Sequence, residues 1–75
     1  MNKINIKFND VTDVSKFVHI LSKYDADFNL YCGSYCVDAK SLLGIMHLGI
    51  NNEIALQMYT DDCEELCREI AKYAA

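Results

Sequence analysis

The sequence predicts a two-layer α+β fold, an open-faced β-sandwich in which a four-stranded antiparallel sheet carries three helices on one face. Three observations lead there. Apolar residues alternate with period two in four short stretches and switch to helical spacing in three others, in the order β-α-β-β-α-β-α. Two of the strands follow one another with only a tight turn between them, which forces antiparallel pairing. The helical segments each carry one apolar stripe, and a shared sheet face is the economical place to bury all three.

The first strand is read over Ile4 to Phe8, where Ile4, Ile6 and Phe8 share a face. The period changes from Val11 to Tyr24, with Val14, Phe17, Val18 and Leu21 at i, i+3, i+4 and i+7. Asp10 suits the cap of this helix and Asp13 follows three residues on, both carboxylates meeting free N–H groups and the positive dipole end. Alternation returns at Asp27 to Cys32, with Phe28, Leu30 and Cys32 on one face. Gly33-Ser34 reads as a two-residue type II′ turn, and Tyr35 and Val37 come back to the inner face. Ser41 opens a short helix closed by Gly49, which suits a left-handed position after the last turn. Glu53 to Tyr59 is a strand with Ile54, Leu56 and Met58 inward. Thr60-Asp61-Asp62 caps the last helix, whose stripe is Leu66, Ile70 and Tyr73.

Composition narrows the function classes. Seventy-five residues make one domain, 1–75, and the 52% hydrophobic content suffices for a small core. A chain this short buries only about 60% of its unfolded surface. The apolar runs are far shorter than the ~20 residues of a membrane span. The N-terminal stretch alternates and does not form the apolar block of a secretory signal, so a cytoplasmic location is expected. The net charge of −4 and the scattered basic residues disfavour direct nucleic-acid binding and anionic membranes alike.

The most specific stretch is Ala39, Lys40, Ser41, Leu42, Leu43, Gly44, Ile45, Met46, His47, Leu48, Gly49, Ile50. It resembles the run "AKS-[IL]-[ML]-G-[VI]-M-x-L-G-I" of the HPr phosphocarrier family of the bacterial phosphoenolpyruvate:sugar phosphotransferase system. The resemblance spans essentially the whole chain, and the interval from Phe17-Val18 to Ser41 fits without a gap. It implies a sheet ordered 1-4-2-3.

The family carries phosphate on a histidine in a pattern like "G-[LI]-H-[AT]-R-P". The ungapped register sets that pattern on Phe8, Asn9, Asp10, Val11, Thr12 and Asp13. Asp10 then stands at the histidine position, Thr12 at the arginine and Asp13 at the proline. An imidazole accepts and releases a phosphoryl group and an arginine steadies its charge. Neighbouring carboxylates instead repel the incoming donor. The reading is therefore a degenerate phosphohistidine site. Asp10 serves as a helix cap, with a fixed-charge mimic of phosphohistidine as the alternative.

The family's second site is a serine at the start of the short helix, which an HPr kinase/phosphorylase modifies. The phosphoserine form binds a LacI-type catabolite control regulator. The chain is similar to the catabolite repression HPr paralogue, which keeps the serine and lacks the histidine. The resemblance implies regulatory phosphorylation at Ser41 and partner docking through Lys40, Leu42, Leu43 and Met46, with Ile45 and Leu48 in the core. The partners implied are that kinase and either the regulator or a metabolic enzyme. No catalytic activity and no cofactor are implied. Two other readings stand beside this one. One is a phosphotransferase-system carrier with an unconventional acceptor.

The other is a thiol-based metal or redox module built on Cys32, Cys36, Cys63 and Cys67, two C-x₃-C pairs. Against it, Cys32 and Cys36 fall on opposite faces of the hairpin. Cys63 and Cys67 read as small buried hydrophobes, and Cys36 as the outward, most reactive thiol. No metal site is expected. His19 and His47 read as exposed surface residues, and Tyr31, opposite Cys36, as part of an aromatic patch on the outer sheet face.

Overall fold

The computed structural model describes residues 2–50, 52–60 and 64–75. Strand β1 (Asn2–Ile6) leads to helix α1 (Val11–Leu21), the hairpin β2 (Phe28–Cys32) and β3 (Tyr35–Asp38), helix α2 (Leu42–Leu48), strand β4 (Ile54–Met58) and helix α3 (Glu64–Ile70). A single 3₁₀ turn, Ala71–Tyr73, follows. The four strands form one antiparallel sheet in the order β1-β4-β2-β3. The architecture is the predicted open-faced sandwich.

Registry explains which side chains are inside. Ile4 faces Leu56, Leu56 faces Leu30, and Leu30 faces Val37, so one inner row crosses the whole sheet. The helices close over it with Val14, Phe17 and Leu21 from α1, Ile45 from α2, and Leu66 and Ile70 from α3. Tyr73 completes an aromatic cluster. Its ring lies 5.6 Å from Phe17, and Phe17 meets Phe8 edge-on at 5.0 Å.

Several boundaries differ from the expectation. Phe8 is buried but lies beyond the end of β1, because the chain turns there to present its ring to Phe17. Helix α1 stops at Leu21. The Ser22 hydroxyl donates to Val18 O at 2.7 Å, and the N–H groups of Lys23 and Tyr24 turn back to Ile20 O and Leu21 O. Strand β4 is one residue shorter at each end than predicted. Tyr35 occupies the inner side of the sheet yet is 64% exposed, since it starts the edge strand at the hairpin tip. Gly49 has positive φ, 92°, but ψ is 155°, so it caps α2 in a positive-φ conformation outside the left-handed helical region. Asp61, Asp62 and Cys63 lie outside the described residues.

The last residues do something periodicity did not predict. Lys7 N donates to Tyr73 O at 2.8 Å and Ala75 N donates to Asn5 O at 2.9 Å, while Ile6 bridges to Ala74. The C-terminal end thus occupies hydrogen-bonding groups along the outer edge of β1, where an open edge invites foreign strands.

Candidate functional site

Two helix starts hold the candidate residues. At α2, Asp38 comes first. Its side chain accepts from Lys40 N at 2.9 Å and its carbonyl accepts from Ser41 N at 3.0 Å, a local turn that aims the next residue into the helix. Ser41 is the N-cap, with φ −98° and ψ 105°, and its Oγ accepts from Gly44 N at 3.1 Å. Its hydroxyl is half-buried. Gly44 lets the helix sit close on β3. A Cβ there would stand 3.2 Å from both Ser41 Oγ and Val37 Cβ.

From this cap the helix divides its apolar residues cleanly. Ile45 is 1% exposed and Leu48 packs partly against the core. Leu42, Leu43 and Met46 are 41%, 83% and 37% exposed. At i, i+1 and i+4 these three share one side of a two-turn helix. Leaving them in water forgoes about 1.5–3 kcal/mol for each side chain that could have been fully buried. A contiguous exposed apolar patch is a feature that partner-binding surfaces share. Lys40 does not join them. Its ammonium donates to Tyr24 O at 2.6 Å and lies 5.5 Å from the Phe28 ring centre, so it ties the loop after α1 to the start of α2.

At α1 the arrangement is closed by carboxylates. Asp10 is the N-cap, and its Oδ1 accepts from Asp13 N at 2.9 Å. Asp13 returns the bond, its Oδ2 accepting from Asn9 N at 3.1 Å. Two negative charges therefore satisfy the donors that would otherwise meet an anion. Thr12 is exposed. Behind them Tyr73 is buried, and its hydroxyl has no hydrogen-bond partner among the described residues. Burial, aided by the Asp13 carboxylate, pushes its pKa up.

The outer sheet face carries a polar aromatic group. Tyr31 Oη lies 3.1 Å from Tyr59 Oη, which accepts from Asn29 Nδ2 at 3.2 Å. Lys3 Nζ is 5.6 Å from the Tyr31 ring centre. Hydrogen bonding to Tyr59 and then to Cys36 pushes the Tyr31 phenol up to about 12. Cys36 is exposed, and Cys32 faces the other side of the hairpin. Among the described residues, no group of three or more His, Cys, Asp or Glu side chains is placed to hold a metal ion. Cys67 packs partly against the core, short of the full burial expected.

One cluster escaped sequence reasoning. Tyr24 donates its hydroxyl to Glu69, and Lys23 Nζ pairs with the same carboxylate at 2.8 Å. The bond to Glu69, with burial adding to it, pushes Tyr24 up to about 12, and Lys23 pulls Glu69 down. The partners lie more than forty residues apart, so no local spacing signals the clasp. His19 and His47 are both exposed. His47 lines a groove of about 420 Å³ with Cys32, Gly33, Ser34, Tyr35 and Leu48.

The strand order and the helix-covered face define a protein with the HPr fold, whose distinguishing surfaces are a serine-capped apolar helix and a carboxylate-capped one. Comparison with known proteins identifies the family. Residues 12–75 match the PTS-HPr family, described as "PTS HPr component phosphorylation site", and the chain belongs to that family. The match begins at Thr12, so Asp10 lies just outside it. The structure of HPr-C-His from Thermoanaerobacter tengcongensis superposes with a TM-score of 0.79 at 28% identity, over 96% of this chain and 89% of that one. The phosphocarrier protein HPr from Bacillus anthracis str. Ames shares the fold, with a TM-score of 0.74 at 24% identity over 99% and 94% of the two chains. Proteins of this family are phosphocarriers of the phosphotransferase system and not enzymes. No helix among the described residues is long and apolar enough to cross a membrane.

Proposed function

We propose that this chain is a cytoplasmic regulatory adaptor of the HPr family, phosphorylated on Ser41 and acting by protein–protein docking, with no histidine-carrier role. The observation that carries the reading is the exposed apolar triad Leu42, Leu43 and Met46 beside the Ser41 cap. The carboxylate-capped start of α1 supports the second half of it. An incoming phosphoryl donor would meet Asp10 and Asp13 where the family's carrier site has histidine and proline.

In the reaction, Ser41 Oγ attacks the γ-phosphorus of ATP, ADP leaves, and the hydroxyl proton passes to a base of the HPr kinase/phosphorylase. The product carries close to two extra negative charges beside the Asp38 turn. That charge attracts Lys40, whose ammonium now serves Tyr24 O, and Lys40 then enters the docking surface. The partner of the phosphorylated form is a LacI-type catabolite control regulator or a metabolic enzyme that recognises the triad and the new charge together.

Intact mass after two separate incubations tests this. One mixture holds HPr kinase and ATP, the other enzyme I and phosphoenolpyruvate. A single phosphate in the first alone, abolished by Ser41→Ala, is expected. No phosphate in the first reduces Ser41 to a helix cap. Phosphate in the second makes the chain a carrier with an unconventional acceptor.

A further inference from the structure

We propose that the free edge of β3 pairs antiparallel with β3 of a second copy of this chain, about a two-fold axis at Cys36. The pairing uses neither Ser41 nor the Leu42, Leu43 and Met46 surface.

The backbone ladder carries the proposal. Ala39 N donates to Phe28 O at 3.0 Å, and the β2–β3 register continues without a bulge from Asn29–Asp38 to Cys32–Tyr35. Bonded and non-bonded pairs alternate along an antiparallel ladder. Val37 and Tyr35 therefore turn their backbone groups toward β2, and Cys36 turns its N–H and C=O to the free side. Among the described residues, no hydrogen bond reaches those two groups of Cys36. The opposite edge of the sheet differs, because the C-terminal end already takes Asn5 O and Lys7 N. Strand β3 also holds no proline, lysine or bulge, the devices that close an edge.

The register selects a second copy as the occupant. A strand turned about Cys36 sets that residue opposite itself, and the two copies exchange both N–H···O=C bonds. The exposed Tyr35 then faces Val37 of the second copy, twice, on the helix side of the sheet. An aromatic against a β-branched residue is a favourable cross-strand pair. Asp38 falls opposite Ser34, so no like charges oppose each other across the strands. Because both copies use the same edge, the assembly closes at two. A strand of four residues is only about 13 Å long, so the contact falls short of the ~1,000 Å² that a stable interface buries. The pair is therefore weak, and salt favours it by screening the charge of −4 on each copy. A disulfide can lock it. The Cα atoms of a bonded antiparallel pair lie about 5.5 Å apart, inside the usual disulfide range, and both Cys36 thiols share the outer face.

The test uses the 75-residue chain in two arms. In the reduced arm, amide shifts from Tyr35 to Asp38 are followed by NMR from dilute to millimolar protein, with sedimentation for mass. These shifts are expected to move with concentration and with added salt, and the mass to stop at the dimer. Cys36→Ser keeps the outward N–H and should hold the dissociation constant within about threefold, while Cys36→Pro removes that N–H without touching the β2–β3 ladder and should raise it about tenfold or more. Circular dichroism checks folding. If Cys36→Pro does not fold, the dilution series on the unaltered chain and Cys36→Ser decides. In the second arm glutathione disulfide is added. One Cys36 thiolate attacks it and expels a glutathione thiolate. The second copy's Cys36 thiolate then attacks the protein sulfur of that mixed disulfide and expels the other glutathione. Two protein thiols are oxidised, one glutathione disulfide is reduced, and the protons pass to the departing thiolates. A dimer mapped by peptide mass to Cys36–Cys36 is expected. Concentration-independent β3 shifts, assemblies larger than two, a Cys36 that stops at the glutathione adduct, or a dimer joined through another cysteine would each overturn the proposal.

Discussion

Truncation of two neighbours on α2 gives the sharpest check on the docking surface. Leu43 and Ile45 are chemically similar, sit two residues apart, and differ in exposure from 83% to 1%. Ile45→Ala removes three buried carbons and leaves a cavity over the sheet, a loss of about 2–5 kcal/mol. Leu43→Ala removes atoms already in water and should change stability by less than about 0.5 kcal/mol. In a domain of this size 1 kcal/mol moves Tm by roughly 4–8 °C. Thermal unfolding followed by circular dichroism should therefore show Ile45→Ala lowered by at least ~8 °C and Leu43→Ala by less than ~4 °C. Phosphate incorporation in the kinase mixture should behave the opposite way, falling for the well-folded Leu43→Ala if the triad receives partners. A Leu43→Ala protein as destabilised as Ile45→Ala would mean that α2 is rotated about its axis and that the triad is core. That result would remove the basis of the docking reading.

Further outcomes are expected. Asp10→Ala should cost about 1 kcal/mol in denaturant unfolding through loss of the α1 cap, while Asp10→Asn keeps the cap and, if Asp10 is no phosphate mimic, leaves partner binding unchanged. Tyr73→Phe should be neutral or stabilising by up to ~1 kcal/mol in the same assay, because it deletes a buried hydroxyl that has no partner among the described residues. In an ultraviolet titration Tyr24 and Tyr31 should ionise near 12, above the ordinary 10.0. The raised Tyr24 value means that its contribution to stability is complete below pH 10 and disappears as pH rises through about 12, and Tyr24→Phe should abolish that part of the alkaline loss. The depressed Glu69 works at the other end, contributing above pH 4.5 and losing its contribution as pH falls through its lower folded-state value. Among the described cysteines Cys36 should react faster with a thiol reagent than Cys32 and Cys67, which are only partly exposed, and Cys36→Ser should remove that faster component.

Much of the fold was legible because burial imposes a period on each element. Ile54, Leu56 and Met58 alternate and all three are buried. Leu66, Ile70 and Tyr73 follow helical spacing and are buried as well. The division of α2 into an inner Ile45 and an outer Leu43 was legible only through the family resemblance, since on a two-turn helix five apolar residues have no unique inward set. Ends were less legible. Phe8 alternates with Ile4 and Ile6, yet it serves the helix layer after the strand has stopped. The basic residues read as scattered along the chain, and the fold gathers Lys16, His19 and Lys72 at one groove.

The sequence by itself determined which residues form strands and helices, which serine and aspartate cap α2 and α1, and that the chain carries the HPr pattern, because each of these depends on neighbours within a few positions. Tertiary structure alone decided what distant residues do to one another. It sent the Lys40 ammonium to Tyr24 O, joined Tyr24 and Lys23 to Glu69, set Tyr31 against Tyr59, and laid the C-terminal end along β1. Those contacts arise when the sheet closes and the helices settle on it, so their geometry is a property of the assembled layers and not of any local stretch of chain.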